Sequence, residues 1–359
     1  MLTSRYLQNC SAPAVRLYGD LQTRIQEDVA RRIAKTNYAS EASEWQVQKL
    51  RELGASRAEI NAAISKATGK SKAEISALFK DGADASLKVE ARLAKQAGVK
   101  AALMPSVKDK GLAAIFQDAA LETHGTLRGL TKTLAKDATK QLNRFLDDAY
   151  MDIASGAFTP EKAISSAVSR FAKKGITAFD YGSGRSVSVD GAVRAAVRTG
   201  IQQMTGRLTL AAAKKVGIKK FRVTSHADSR PEHAEWQGGI YTESELSDIC
   251  GYGDPAGLKG VNCRHDFYLY DDDINEPPEA QDEVEPEVYE AEQKQRYIER
   301  TIREWKREAQ TLEAAGEDAT LANRKVRDWQ GKQREHLADT KTKTGIDLAR
   351  LYPRESIAK

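Results

Sequence analysis

At 359 residues, with 40% hydrophobic and 30% charged residues and a mean hydropathy of −0.57, the chain has the length of two or three domains but too little apolar material for one large core. No run of about 18 apolar residues exists to span a membrane, the opening MLTSRYLQNCSAPAV has no apolar centre, so no secretory signal is expected, and three cysteines (Cys10, Cys250, Cys263) are too few for a disulfide framework, which points to a reducing cytoplasm. The net charge of +5 divides sharply: residues 1–225 hold 37 Lys and Arg against 21 Asp and Glu, a net of +16, and the rest hold 19 against 30, a net of −11. Such a split offers a basic face to nucleic acid or to an acidic partner. Its bland counterpart is a helical surface rich in lysine, and no aromatic stacking pattern accompanies the basic residues.

In chain order, Leu21, Ile25, Val29 and Ile33 recur every three or four residues and predict an amphipathic helix. A small duplication follows. Ser56-Arg-Ala-Glu59 and Ser71-Lys-Ala-Glu74 each read as a capping box, with Gly69 and Gly82 as stops. This predicts two short helices, packed simply or as a helix-turn-helix. From about Leu112 to Ala154 the stripe Leu127, Leu130, Leu134, Leu142, Phe145 and Tyr150 predicts another helix. Thr159-Pro160-Glu161 starts the next, which Gly175 ends. Tyr181-Gly-Ser-Gly-Arg185, followed by Val187 and Val189, signals a hairpin; no G-x-x-x-x-G-K-[ST] pattern supports a phosphate loop. Asp190 is the expected cap of a helix faced by Val193, Val197, Ile201, Met204 and Leu208, and strands are expected near 219–224 and 267–270. The acidic, proline-containing stretch 271–292 reads as a solvated linker. The charged stretch beyond it carries a thin apolar stripe through Ile302, Trp305 and Leu312, and through Val326 and Trp329, and should need a packing partner. The expected fold is thus mainly α with a small α+β domain: an elongated helical region at 1–175, a compact domain with a hairpin and small antiparallel sheet at 176–270, a linker at 271–292, and a helical tail at 293–359.

The chemistry-bearing residues gather between 223 and 270. His226, His233, Cys263 and His265 lie here with Cys250 nearby, and imidazole and thiolate are the ligands zinc prefers. Their spacing matches no compact zinc module, so zinc stands as an alternative at those four residues and no cofactor is expected. A nucleophilic reading would pair Cys263 with His226 or His233, oriented by Asp228. The third reading is structural: Asp228 pairs with Arg230, the histidines hydrogen-bond to backbone, and Trp236 and Tyr241 fill the space beneath.

The order His226-x-Asp228-x-Arg230-Pro-x-His233, then Gly238, then Gly253 and Gly257, then Asn262-Cys263-Arg264-His265 closing on an aromatic strand, resembles the phage minor capsid protein 2 family. It is similar, more distantly, to the head-morphogenesis domain of the Mu-type protein F, whose members commonly carry a second cysteine where this chain has His265. The resemblance implies a low-copy structural protein of a tailed-phage head interior, assembled in the bacterial cytoplasm. The portal and other head proteins would be its partners, non-specific DNA a further one, and no catalytic residue, membrane or small-molecule substrate is implied. A Cys/His or metal-assisted hydrolase and a DNA-binding accessory protein are the alternatives.

Overall fold

A computed structural model of the chain describes residues 6, 9–38, 41–176, 179–180, 186–226, 229–261, 263–273 and 286–348. Helix α1 (Ala12–Lys35) buries Tyr18, Leu21, Ile25, Val29 and Ile33 on the face that its periodicity marks. Helix α2 (Ala42–Gln96) runs unbroken for 55 residues, about 80 Å at 1.5 Å per residue. This corrects the expectation of two short capped helices, and with it the helix-turn-helix. Ser56 and Ser71 do not cap anything; both are buried mid-helix, where the Ser56 hydroxyl donates to Asp28 at 2.9 Å and Ser71 accepts from Tyr18 at 3.3 Å. The small residues let α1 lie close, and the hydroxyls then bond across the interface instead of to their own amides.

Helix α3 (Lys110–Ala154) packs along α2, and α4 (Pro160–Lys174) begins and ends as its punctuation requires. The Thr159 hydroxyl accepts from the Lys162 amide, and Gly175 takes φ +65°. A short antiparallel pair, β1 (Phe179–Asp180) and β2 (Ser186–Val187), realises the hairpin; its turn, 181–185, lies outside the described residues. Helix α5 (Val189–Val216) is capped by Ser188, whose hydroxyl accepts from Gly191, and not by Asp190. Asp190 instead points inward, buried against Arg303 and Arg307. Val193, Val197, Ile201, Met204 and Leu208 are completely buried in the helical core formed with α1–α4.

A second, smaller core lies at one end of that bundle. The three-stranded sheet has the order β4 (Ile240–Thr242), β3 (Lys220–Val223), β5 (Phe267–Tyr270), with β3 antiparallel to both neighbours. Phe221, Val223, Phe267 and Leu269 pack on Leu93 and Ala94 of α2 and on Ala213 of α5. Helix α5, which the sequence groups with the small domain, therefore has a face in both cores. Buried Glu90 joins the two: its carboxyl oxygens accept from the Thr209 hydroxyl of α5 at 2.8 Å and from the Leu269 amide of β5 at 3.1 Å. Two short helices, α6 (Pro231–Ala234) and α7 (Glu243–Asp248), connect the strands, the second opened by a capping box of Thr242 and Glu245.

Helix α8 (Pro286–Ala315) begins inside the stretch assigned to the linker, whose residues 274–285 lie outside the described residues. It pairs antiparallel with α9 (Thr320–Thr344): Asn323 meets Glu313, Gln333 meets Glu299, and His336 meets the Ala291 carbonyl. The partner that the thin apolar stripe needs is the chain's own bundle, since α8 packs on α1 and α4 and buries Ile298, Ile302, Ala309 and Leu312. Among the described residues no helix is long and apolar enough to cross a membrane.

Candidate functional site

The segment after β3 returns across the end of the sheet and places α6 beside the start of β5. Two glycines make the intervening loop possible. Gly253 has φ +109°, a conformation that side chains resist. A β-carbon on Gly257 would sit 2.1 Å from the Gly251 carbonyl oxygen. Gly238 lies in the turn leading to β4. The loop is clamped to the bundle by Lys259, whose buried ammonium contacts the Asp266 carboxylate and the Thr205 hydroxyl of α5. Burial alone would raise the Asp266 pKa, but the adjacent Lys259 holds it below its ordinary value.

Three side chains of the sequence motif converge. The Cys263 Sγ lies 3.8 Å from Nδ1 of His233 and 3.7 Å from Nδ1 of His265, and the three residues are buried. Each histidine has its other nitrogen on a carbonyl oxygen: His233 Nε2 at 2.8 Å from Ala256 O, and His265 Nε2 at 3.0 Å from the Gln237 side-chain oxygen. The same Gln237 oxygen accepts from the His226 amide at 3.0 Å, which fixes the orientation of the carboxamide. The Gln202 amide of α5 donates to the carbonyls of Cys263 and His265 at 3.2 and 3.1 Å, holding the strand entrance against the bundle. The Trp236 ring lies tilted at 4.6 Å from the His233 ring and edge-on at 4.9 Å from that of His265, and Tyr241 donates to the Trp236 carbonyl.

His226 lies beside the trio but turns elsewhere, with Nε2 at 3.1 Å from the Arg264 carbonyl and 3.2 Å from the Thr224 hydroxyl. Arg230 donates to the Val261 carbonyl. Asp228 and Asn262 lie outside the described residues, so the expected Asp228–Arg230 pair does too. A cavity of about 200 Å³ opens over the trio, lined also by His226, Arg230 and Arg264, and by Tyr289, Gln293 and Arg296 of α8. Arg264 reaches buried Glu292 of α8 at 2.8 Å, and Arg296 completes the pair. Burial lowers the pKa of His233, lowers that of His265 well below the ordinary imidazole value, and raises that of the Cys263 thiol. A raised thiol pKa works against a thiolate nucleophile. Sequence reasoning singled out none of Gln202, Gln237, Glu292 or Arg296. Gln202 sits in a helix at no motif position, and Glu292 falls in the acidic stretch, where one buried carboxylate looks like its solvated neighbours.

Fold and site together define a mainly helical protein carrying a small module centred on histidine and cysteine. The chain belongs to the family described as phage minor capsid protein 2, whose model matches residues 2–338. It is similar to a structural protein of Lactococcus phage LL-H, 27% identical over 228 residues, which cover 59% of this chain and 60% of that relative. It is also similar to a structural protein of Lactococcus phage mv4, 34% identical over 112 residues, which cover 30% of this chain and 87% of the relative. No solved structure matches it.

Proposed function

We propose that the chain is a low-copy component of the phage head interior that sits at the portal and lies against packaged DNA without reading its sequence. The portal is the location implied by the family resemblance. The DNA contact is carried by one observation, a row of exposed basic residues along α3 that Arg57 of α2 joins. Arg128, Lys132, Lys136, Lys140 and Arg144 recur every fourth residue along α3, all of them exposed. They span 17 residues, about 24 Å of helix, and at about 40° per step wind about 160° around it. Arg57 of α2 joins Lys136 and Lys140 around an open groove of about 490 Å³ between the two helices. Such a row can displace counterions condensed on a duplex and needs no base contact.

Phosphate contacts by Lys132, Lys136 and Lys140, which share one side of α3, would give a salt slope of about −3, with a dissociation constant of about 10⁻⁴–10⁻⁶ M at physiological salt. Gel-shift titration of the full chain on unrelated duplexes, at low and moderate salt, tests the reading. Equal, salt-sensitive affinities are expected. Absence of binding at low salt removes DNA from the partners.

A further inference from the structure

We propose that His233 Nδ1, His265 Nδ1 and Cys263 Sγ bind one zinc ion, with a water from the overlying cavity in the fourth position.

The tautomers carry the argument. Ala256 O and the Gln237 side-chain oxygen can only accept, so both imidazole Nε2 atoms must be the protonated ones. Both Nδ1 lone pairs then face the same sulfur, at 3.8 and 3.7 Å. A thiol has one proton and can satisfy only one of them, leaving a buried acceptor directed at a sulfur lone pair. One cation among the three atoms removes that conflict. The distances agree: tetrahedral zinc with Zn–S of about 2.3 Å and Zn–N of about 2.0–2.1 Å separates sulfur from nitrogen by about 3.6 Å. The ligand atoms all lie within 4.8 Å of one another. Histidine ligands with the second nitrogen bound to a carbonyl are the usual outer-sphere arrangement, which orients the ring and raises its basicity. Two nitrogens and a thiolate select zinc over magnesium or calcium.

Spacing alone hid the site because 30 residues separate His233 from Cys263, and the folded loop closes that gap. Its ligands come from helix α6, from the end of the loop and from the residues leading into β5, so one ion ties three short segments that otherwise share a small core.

The test is made on the full chain, purified without added metal. Elemental analysis is expected to find close to one zinc per chain. After zinc removal, cobalt(II) titration is expected to give tetrahedral d–d bands and a thiolate charge-transfer band. Cys263→Ser should abolish the charge-transfer band, whereas Cys250→Ser, altering the other cysteine of this core, should leave it intact. Gln237→Leu retains all three ligands and should weaken zinc about 10–100-fold, which keeps the test decisive if Cys263→Ser fails to fold. A chain that is folded by circular dichroism yet holds no stoichiometric zinc and gives no charge-transfer band overturns the proposal. So does a folded Cys263→Ser that binds zinc as tightly as the parent.

Discussion

Glu90 sits wholly inside the junction between the helical core and the sheet, and burial pushes its carboxyl from 4.5 up to about 7, with Asp266 nearby adding to the rise. The folded state therefore holds a proton on Glu90 that the unfolded chain releases above about pH 4.5. Between those two values the folded state binds more protons, so this group's contribution to stability falls as pH rises, and the loss is complete just above pH 7. A shift of about 2.5 units corresponds to about 3 kcal/mol. With an unfolding entropy of about 2.1 cal/mol/K per residue, 359 residues unfolding together would turn that into about 4 °C of melting temperature. Glu90→Gln removes the titration without removing the bonds. The carboxamide oxygen can accept from the Leu269 amide, and its NH2 can donate to the Thr209 hydroxyl, which reverses its role. Melting curves of both proteins between pH 5 and 8 provide the assay. The two should melt together at pH 5, with the variant higher by about 4 °C at pH 8. The comparison isolates Glu90 because Asp266, held low beside Lys259, contributes in the opposite sense and at acid pH in both proteins. Parallel curves across the range, or a variant less stable at every pH, would refute the reasoning.

Other perturbations follow from single contacts. Asp190→Ala strands Arg303 and Arg307 where α8 meets the bundle, and should destabilise the chain by about 3–5 kcal/mol in urea unfolding. Gly257→Ala drives a methyl group into the Gly251 carbonyl and should raise hydrogen exchange in the loop and strands of residues 220–270 while α3 stays protected. Reversing Lys132, Lys136 and Lys140 to Glu should reduce the salt slope of DNA binding by about 3 and leave the melting temperature within about 1 °C, since exposed substitutions change stability little.

Legibility followed the range of the forces. Helix α4 was readable to the residue because Thr159, Pro160 and Gly175 act on their own backbone. The continuity of α2 was not, because a capping box and a buried serine bonded to another helix are the same letters until Asp28 and Tyr18 are in place. Asp190 misled in the same way: an acid at a helix start resembles a cap, but its partners are arginines more than 100 residues away. Strands β3 and β5 announced themselves by aromatic and β-branched residues, while the three residues of β4 depend on pairing with β3 for their existence. At the site, the clustering of His233, Cys263 and His265 was legible from residue type. Their convergence, and the turning away of His226, depend on the fold of the loop and on Gln202 and Gln237, which no local pattern marks.

The central claim is that this chain is a structural part of the virion, and quantitative mass spectrometry of gradient-purified, DNA-filled particles tests it most directly. The chain is expected in every preparation at a constant, low ratio to the major capsid protein, comparable to that of the portal subunit. Its absence from filled particles, with abundant free protein in the infected lysate, would contradict the assignment.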